Sequence, residues 1–392
     1  IVYRTKICDN CSWELSFMGD PQDPQKLVHV STSDAFMRST TAGRSWILDF
    51  INTVTVYPRP NIAYRGDPKI VTARNYGGFY LSALFSDFTD PARQKTGGIL
   101  YKGGYSGGPG SANLNASIFQ DIPANPPPPN LLFADYEKLA VDPQSSSLYI
   151  AAGHVWFENL QSFENALYIS PDAGITFARE RLIGNLAIES IAVGSDRTLY
   201  VAGNQGGDGK ILRFRSVQPA IFDTYQLPSR EMMWPPKIST NSNRAWFGFM
   251  GPEIIADNSA QSPYRGRLYG VWAQAEKYVA DANFEYPYYG FNFNVFASYS
   301  DNRGETWSLP IKVNDDVGTG DQFFPSARVD DLGRLHIAFV DHRNNQASSL
   351  FDVYYAYSSD GARFSRNIRV TDIPTANDPS GGRTIGDYLD MV

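Results

Sequence analysis

Apolar residues along this chain gather in short runs separated by clusters of Gly, Asp, Asn, Ser and Pro, and convincing helical periodicity is hard to find. Short apolar runs bounded by turn residues predict β-strands. One hairpin recurs: an apolar strand, a turn built on Asp or Gly, then Leu-Tyr or Leu-His opening a second strand. It reads LAVDPQSSSLYIAAG at 139–153, IAVGSDRTLYVAG at 191–203 and ARVDDLGRLHIAFVD at 327–341, with a looser copy, IIADNSAQSPYRGRLYGVW, at 254–272. Three of these stretches continue into a third strand and a further turn, as in ALYISPDAGITF, VFASYSDNRGETW and VYYAYSSDGARF. A unit of about four antiparallel strands, copied at wide intervals, is one blade of a propeller.

The spacing places blades at about 67–120, 134–180, 188–227, 250–314 and 322–372. Residues 21–60 read as the outer strands of a blade without an inner strand, and the terminal IGDYLDMV (385–392) as an inner strand without a blade. Pairing them predicts an all-β, six-bladed propeller of four-stranded antiparallel blades. It forms a single domain over 1–392, with 1–20 as an N-terminal arm, and the terminal strands close the ring. Closure removes the open sheet edges that a linear array would expose.

The third-strand turns share a second pattern: SPDAGITF (170–177), SDNRGETW (300–307), STTAGRSW (39–46) and the shorter SSDGARF (358–364). Asp or Asn two residues after the Ser can accept N–H bonds inside its own turn. Gly supplies a positive φ that a side chain opposes, and the Thr and terminal aromatic pin the turn to the blade. Ser170, Asp172, Gly174, Phe177, Ser300, Asn302, Gly304, Trp307, Asp360 and Gly361 are therefore read as structural residues.

This Ser-x-Asp-x-Gly-x-Thr-Trp turn resembles the Asp-box, or BNR repeat, of sialidase-like β-propellers. The stretch DQFFPSARVDDLGRLHIAFVDHRNN…FDVYYAYSSDGARF resembles blades of secreted bacterial BNR-repeat proteins. The resemblance implies an extracellular or cell-surface protein, periplasmic as an alternative. The box occurs in hydrolases, lectin-like binders and assembly factors alike, so it implies fold more than activity.

Composition narrows the partners. A net charge of −7 over 392 residues argues against nucleic acid, which calls for a basic face. No apolar run approaches the roughly 18 residues that span a bilayer, and the start at Ile1 without a signal peptide suits a mature form or a partial chain. Cys8 and Cys11, spaced CDNC, read as a local disulfide ahead of a redox or metal pair. Asn10-Cys11-Ser12 and Asn115-Ala116-Ser117 permit glycans. The four histidines, His29, His154, His336 and His342, lack metal-ligand spacing.

In a propeller the boxes fall on the face of the 1–2 and 3–4 turns, and the long aromatic loops fall on the opposite face, where ligands are expected. Inner strands there begin at Asp67, Asp135, Glu189, Glu253, Asp321 and Asp387. Such a carboxylate rim can stay solvated, hold Ca²⁺ at the channel through residues such as Asp321 and Asp387, or supply a glycosidase acid and base. The sialidase resemblance implies an arginine clamp, a Tyr–Glu nucleophile and an Asp acid/base. The matching candidates are Arg65, Arg343 and Arg383 for the clamp, Tyr388 with Glu253 or Glu189 for the nucleophile, and Asp67 for the acid/base. The Arg-Ile-Pro string of those enzymes is absent; YPRPN at 57–61 and YRGDP at 64–68 come nearest. Trp156, Tyr288 and Tyr289 are candidate sugar-stacking residues, and YPYYGFNF (286–293) reads equally as a buried or partner-facing patch. Two functions follow: a non-catalytic propeller that binds glycan or a protein partner, or builds a surface assembly, and an exo-sialidase-like glycoside hydrolase.

Overall fold

In the computed structural model the strands pair into six antiparallel sheets, and the architecture is a six-bladed β-propeller of four-stranded sheets. The structure describes residues 16–20, 22–30, 35–50, 54–56, 59–73, 77–87, 95–104, 115–119, 122–123, 132–156, 163–182, 186–229, 251–280, 288–345, 350–376 and 391, and among these there is no helix. The chain divides into two compact units, residues 1–188 with 216–221 and 392, and residues 189–215 with 222–391.

The first unit carries three sheets. Sheet one is β1 (Ser16–Asp20), β2 (Asp23–Val30), β3 (Ala35–Ser39) and β4 (Ile47–Phe50). Sheet two runs from β5 (Val54–Val56) through β6 (Arg59–Ala73), β7 (Gly78–Asp87) and β8 (Lys95–Gly104), with β9 (Asn115–Ile118) and β10 (Ile122–Pro123) both pairing with β8. Sheet three is β11 (Leu132–Val141), β12 (Leu148–Trp156), β13 (Phe163–Ser170) and β14 (Ala178–Leu182). Sheet one differs from the sequence expectation, because it takes all four strands from residues 16–50. SFMGD supplies the inner strand, stacking Phe17 on His29 at 4.3 Å, while Ser16 Oγ accepts the Ile70 N–H of β6 at 3.1 Å. The closing strand expected at 385–392 lies outside the described residues, apart from Met391, which is not in a strand.

Sheet four is β15 (Ala187–Val193), β16 (Leu199–Gln205), β17 (Asp208–Val217) and β18 (Ala220–Gln226). Residues 187–188 of β15, 216–217 of β17 and 220–221 of β18 are counted with the first unit and the rest of the sheet with the second. Sheet five is β19 (Glu253–Ala256), β20 (Leu268–Ala280), β21 (Tyr288–Ser300) and β22 (Ile311–Lys312). Sheet six is β23 (Gln322–Val329), β24 (Leu335–Asp341), β25 (Leu350–Ser358) and β26 (Ile368–Arg369), with β27 (Thr375–Ala376) also on β25. The recurrent hairpins keep tight register: Val141 faces Leu148 in one and Val329 faces Leu335 in another. Second strands are buried almost throughout, as LYVAGN of β16 and IAFVD of β24 show. Strands buried on both faces lose the apolar–polar alternation of a half-exposed sheet. The second unit's core gathers Trp272, Leu268, Phe293, Phe323 and Tyr200; the first unit's gathers Phe36, Phe79, Phe85, Ile99 and Tyr101.

The turns after the third strands are closed by short local networks. Ser170 Oγ accepts the Gly174 N–H at 2.7 Å and donates to Asp172 at 2.8 Å. The Asp172 carboxylate takes the N–H groups of Ile175 and Thr176 and the Thr176 hydroxyl. Hydrogen bonds from Thr176 hold Asp172 well below the usual carboxylate range, at about 2. Asn302 does the same work with the polarity reversed at one bond, its Nδ2 donating to Thr306 Oγ1. Thr41 stands in the acidic place of the first turn and accepts the Ser45 N–H. Gly174 has φ +82°, and a Cβ there would lie 2.3 Å from Leu100 Cδ2, so the turn also wedges against the preceding sheet. Ser170→Ala leaves the buried Gly174 N–H without its acceptor, so it should cost about 1–3 kcal/mol in urea unfolding. A loss below a few tenths would mean that the hydroxyl is dispensable.

Candidate functional site

In sheets five and six the third-strand turns follow β21 and β25, so the connections β20–β21, β22–β23 and β24–β25 lie at the opposite strand ends. A continuous polar network occupies that opposite end. Asn294, Asn314, Gln322, Asp341 and Asp352 are all buried, although sequence position alone marks them as strand or loop residues. Glu276 accepts from Asn294 Nδ2 at 3.0 Å, and Asn314 Nδ2 donates to Asn294 Oδ1 at 2.8 Å and Gln322 Oε1 at 2.7 Å. Gln322 Nε2 donates to the Gly320 carbonyl and to Asp341 Oδ1. The Val295 N–H points at Asn314 Oδ1. Each amide therefore has one orientation that satisfies its neighbours.

Arg343 ends this chain. Its Nε donates to Asp341 at 2.8 Å, Nη1 to Asp315 at 2.7 Å and Nη2 to Asn367 at 2.7 Å, with the guanidinium 4.1 Å over the Tyr354 ring. Burial pushes Asp341 up despite the Arg343 charge. For Asp315 burial acts in the same sense, but hydrogen bonds from the Asn367 N–H and Arg343 outweigh it and hold the carboxyl down. Asp352 is likewise lowered, since Asn344, Arg369 and Thr371 overcome its burial. Burial drives the His342 imidazole down to about 4, so it is neutral at pH 7.

Asp321, from the predicted rim, sits immediately before β23. It accepts the Phe293 N–H at 2.9 Å, and its own carbonyl accepts from His342 N. Burial raises its carboxyl to about 6. Asp321 and Arg343 are thus brought to one end of sheet six. Glu253, at the start of β19, is a strut between inner strands: its carboxylate accepts the Ala327 N–H at 2.7 Å and Arg328 Nη1 at 2.8 Å. Arg65 and Asp67 fall in β6, Trp156 at the end of β12, and Tyr288 and Tyr289 at the start of β21; their side chains lie outside the described residues. Arg383, Asp387, Tyr388, Cys8 and Cys11 lie outside them altogether. Among the described residues no group of three or more His, Cys, Asp or Glu side chains is arranged to hold a metal ion.

The amide network escaped the sequence reading. Its one signal is the alternation FNFNV at 291–295, in which Asn recurs at every second position of an otherwise aromatic strand.

No protein-family profile and no curated protein matches this chain. Solved structures do. Puromycin hydrolase superposes with a TM-score of 0.51 at 13% identity, over 94% of this chain and 46% of that one, so this chain spans under half its length. An ulvan lyase of polysaccharide lyase family PL25 gives 0.48 at 10% identity, over 92% and 85% of the two chains. The α-L-arabinanase of Penicillium chrysogenum gives 0.40 at 15% identity, over 60% of this chain and 66% of that one. At such identities the likeness concerns the fold.

Proposed function

We propose that this chain is an extracellular, sialidase-like Asp-box propeller that binds glycan without hydrolysing it. One observation carries the reading: Arg343 and Glu253, two described members of the hydrolase set, are already engaged within the protein. A clamp arginine must offer its N–H fork to a substrate carboxylate. Each nitrogen of Arg343 instead has an internal partner, and two carboxylates match its single charge. A glutamate that activates a tyrosine must keep an oxygen for the phenol, yet each oxygen of Glu253 holds a donor from β23. The absent Arg-Ile-Pro string agrees.

A second reading keeps one supporting fact. A carboxyl raised to about 6, as Asp321 is, suits a general acid in mildly acidic solution. A panel of aryl glycosides, sialosides included, separates the two readings when run at pH 5 and pH 7 beside a glycan-binding screen. Binding without turnover is expected. Turnover that Asp321→Asn abolishes in a folded protein overturns the proposal in favour of the hydrolase.

A further inference from the structure

A groove of about 670 Å³ lies between the end of β18 and the flank of sheet five, and none of its lining residues belongs to the Asp321–Arg343 network. Its size falls in the range of small-molecule sites, roughly 300–1,000 Å³. Two aromatic rings in its lining are held rigidly. Trp307 is fixed by its Nε1–H bond to the Gly304 carbonyl at 3.0 Å, and Phe296 stacks on Trp272 with centroids 6.2 Å apart. The third-strand turn of sheet five therefore sets a ring into the groove as well as closing itself.

The polar lining is equally fixed. Gln226 is held between Lys210 Nζ at its Oε1 and Asp208 at its Nε2. Gln274 Oε1 accepts from Trp272 Nε1, and Ser229 Oγ accepts the Gly209 N–H at 3.0 Å. A primary amide carries two donors and two lone pairs, so the exposed Gln226 has valence beyond its two partners. Glu305 is matched by Arg213 at 2.8 Å, which leaves the lining without an uncompensated charge to recruit an ion.

We infer that this groove is a binding subsite for a neutral oligosaccharide, with Trp307 and Phe296 against sugar ring faces and Gln226 on its hydroxyls. Flat apolar rings beside uncharged donors and acceptors match the two kinds of surface that a pyranose presents, apolar C–H faces and a hydroxyl rim. Leu227 of the lining is packed closely from behind: a Cβ at Gly270 would lie 2.3 Å from its Cδ2, so the strand backbone there has to be bare. The inference rests on the glycan-binding reading but puts recognition on a flank between sheets, away from the loop-bearing face.

Calorimetric titration with xylo-, cello-, manno- and galacto-oligosaccharides tests it, using the wild type, Gln226→Ala, Trp307→Phe and a Tyr288→Ala/Tyr289→Ala variant. Gln226 is exposed, so its replacement leaves the fold intact even where a Trp307 variant is impaired. Expected are an affinity about threefold to tenfold weaker for each groove variant and unchanged affinity for the tyrosine variant. Wild-type binding that survives both groove substitutions overturns the subsite and leaves the glycan reading standing, most clearly where the tyrosine variant loses it. A wild type that binds none of these sugars while binding acidic glycans or a peptide overturns the neutral-sugar assignment; one that binds no glycan at all removes the reading beneath it.

Discussion

Asp341→Ala should destabilise the protein by about 3–5 kcal/mol, the range for removing one partner of a buried ion pair. Asp341 is fully buried, and it accepts the backbone N–H and Nε of Arg343 together with Nε2 of Gln322. Its loss removes the acceptor that the Arg343 Nε–H uses, and leaves the Gln322 amide with the Gly320 carbonyl on its donor side. The disturbance then reaches Asn314 and Asn294, because each of those amides is oriented by the next. Urea unfolding at pH 7 measures the effect. Replacing both partners, as in Asp341→Leu with Arg343→Met, should cost less than the two single losses added together, since no buried charge is stranded and the Asp315 carboxylate left behind is 42% exposed. Equality of the double loss with that sum would mean that the two groups act independently. By contrast Arg303 and Asp196, paired at 2.9 Å but well exposed, should contribute well under about 1 kcal/mol.

What the sequence made legible is what short-range chemistry determines. The turns at 170–177 and 300–307 could be assigned because every donor and acceptor in them lies within a few residues, so type and spacing alone specify the bonds. The same holds for the 1–2 turns, where Asp142 and Asp330 cap the next N–H groups. The first sheet was harder. SFMGD is short, contains Gly and shows little alternation, and its place is set by Ile70, which is 54 residues away. The site was harder still. Glu253 meets Arg328 at a separation of 75 residues, and Arg343 meets Asp315 at 28, contacts that only strand pairing creates. A carboxylate at a strand start looks the same in sequence whether it is a solvated cap, a catalytic group or a strut.

Asp321→Asn should raise stability at pH 7 by as much as about 3 kcal/mol, with the gain fading in acid. Burial lifts this carboxyl from its ordinary 3.8 to about 6, and a two-unit shift corresponds to about 3 kcal/mol. The sign follows from proton counting. Between 3.8 and about 6 the native state binds more protons at this site than the unfolded chain does, so what this site contributes to stability falls as pH rises through that interval and is level above it. Asp172 and Asp330 act the other way: hydrogen bonds hold both at about 2, so what they contribute is present above 3.8 and is lost as the pH drops toward 2. His342, which burial pushes down from 6.5 to about 4, opposes Asp321 over much of the same interval, so the Asp321 slope is read from the difference between variant and wild type. Asparagine imitates the protonated acid, keeping an oxygen for the Phe293 N–H and removing the charge that burial penalises. Melting temperatures of both proteins from pH 4 to pH 7 should therefore coincide near pH 4 and separate by pH 7, with the variant higher. If the variant is the less stable at pH 7, the ionised carboxylate is itself in use, as a bound cation would require; calcium would then raise the wild-type melting temperature and leave the variant's unmoved.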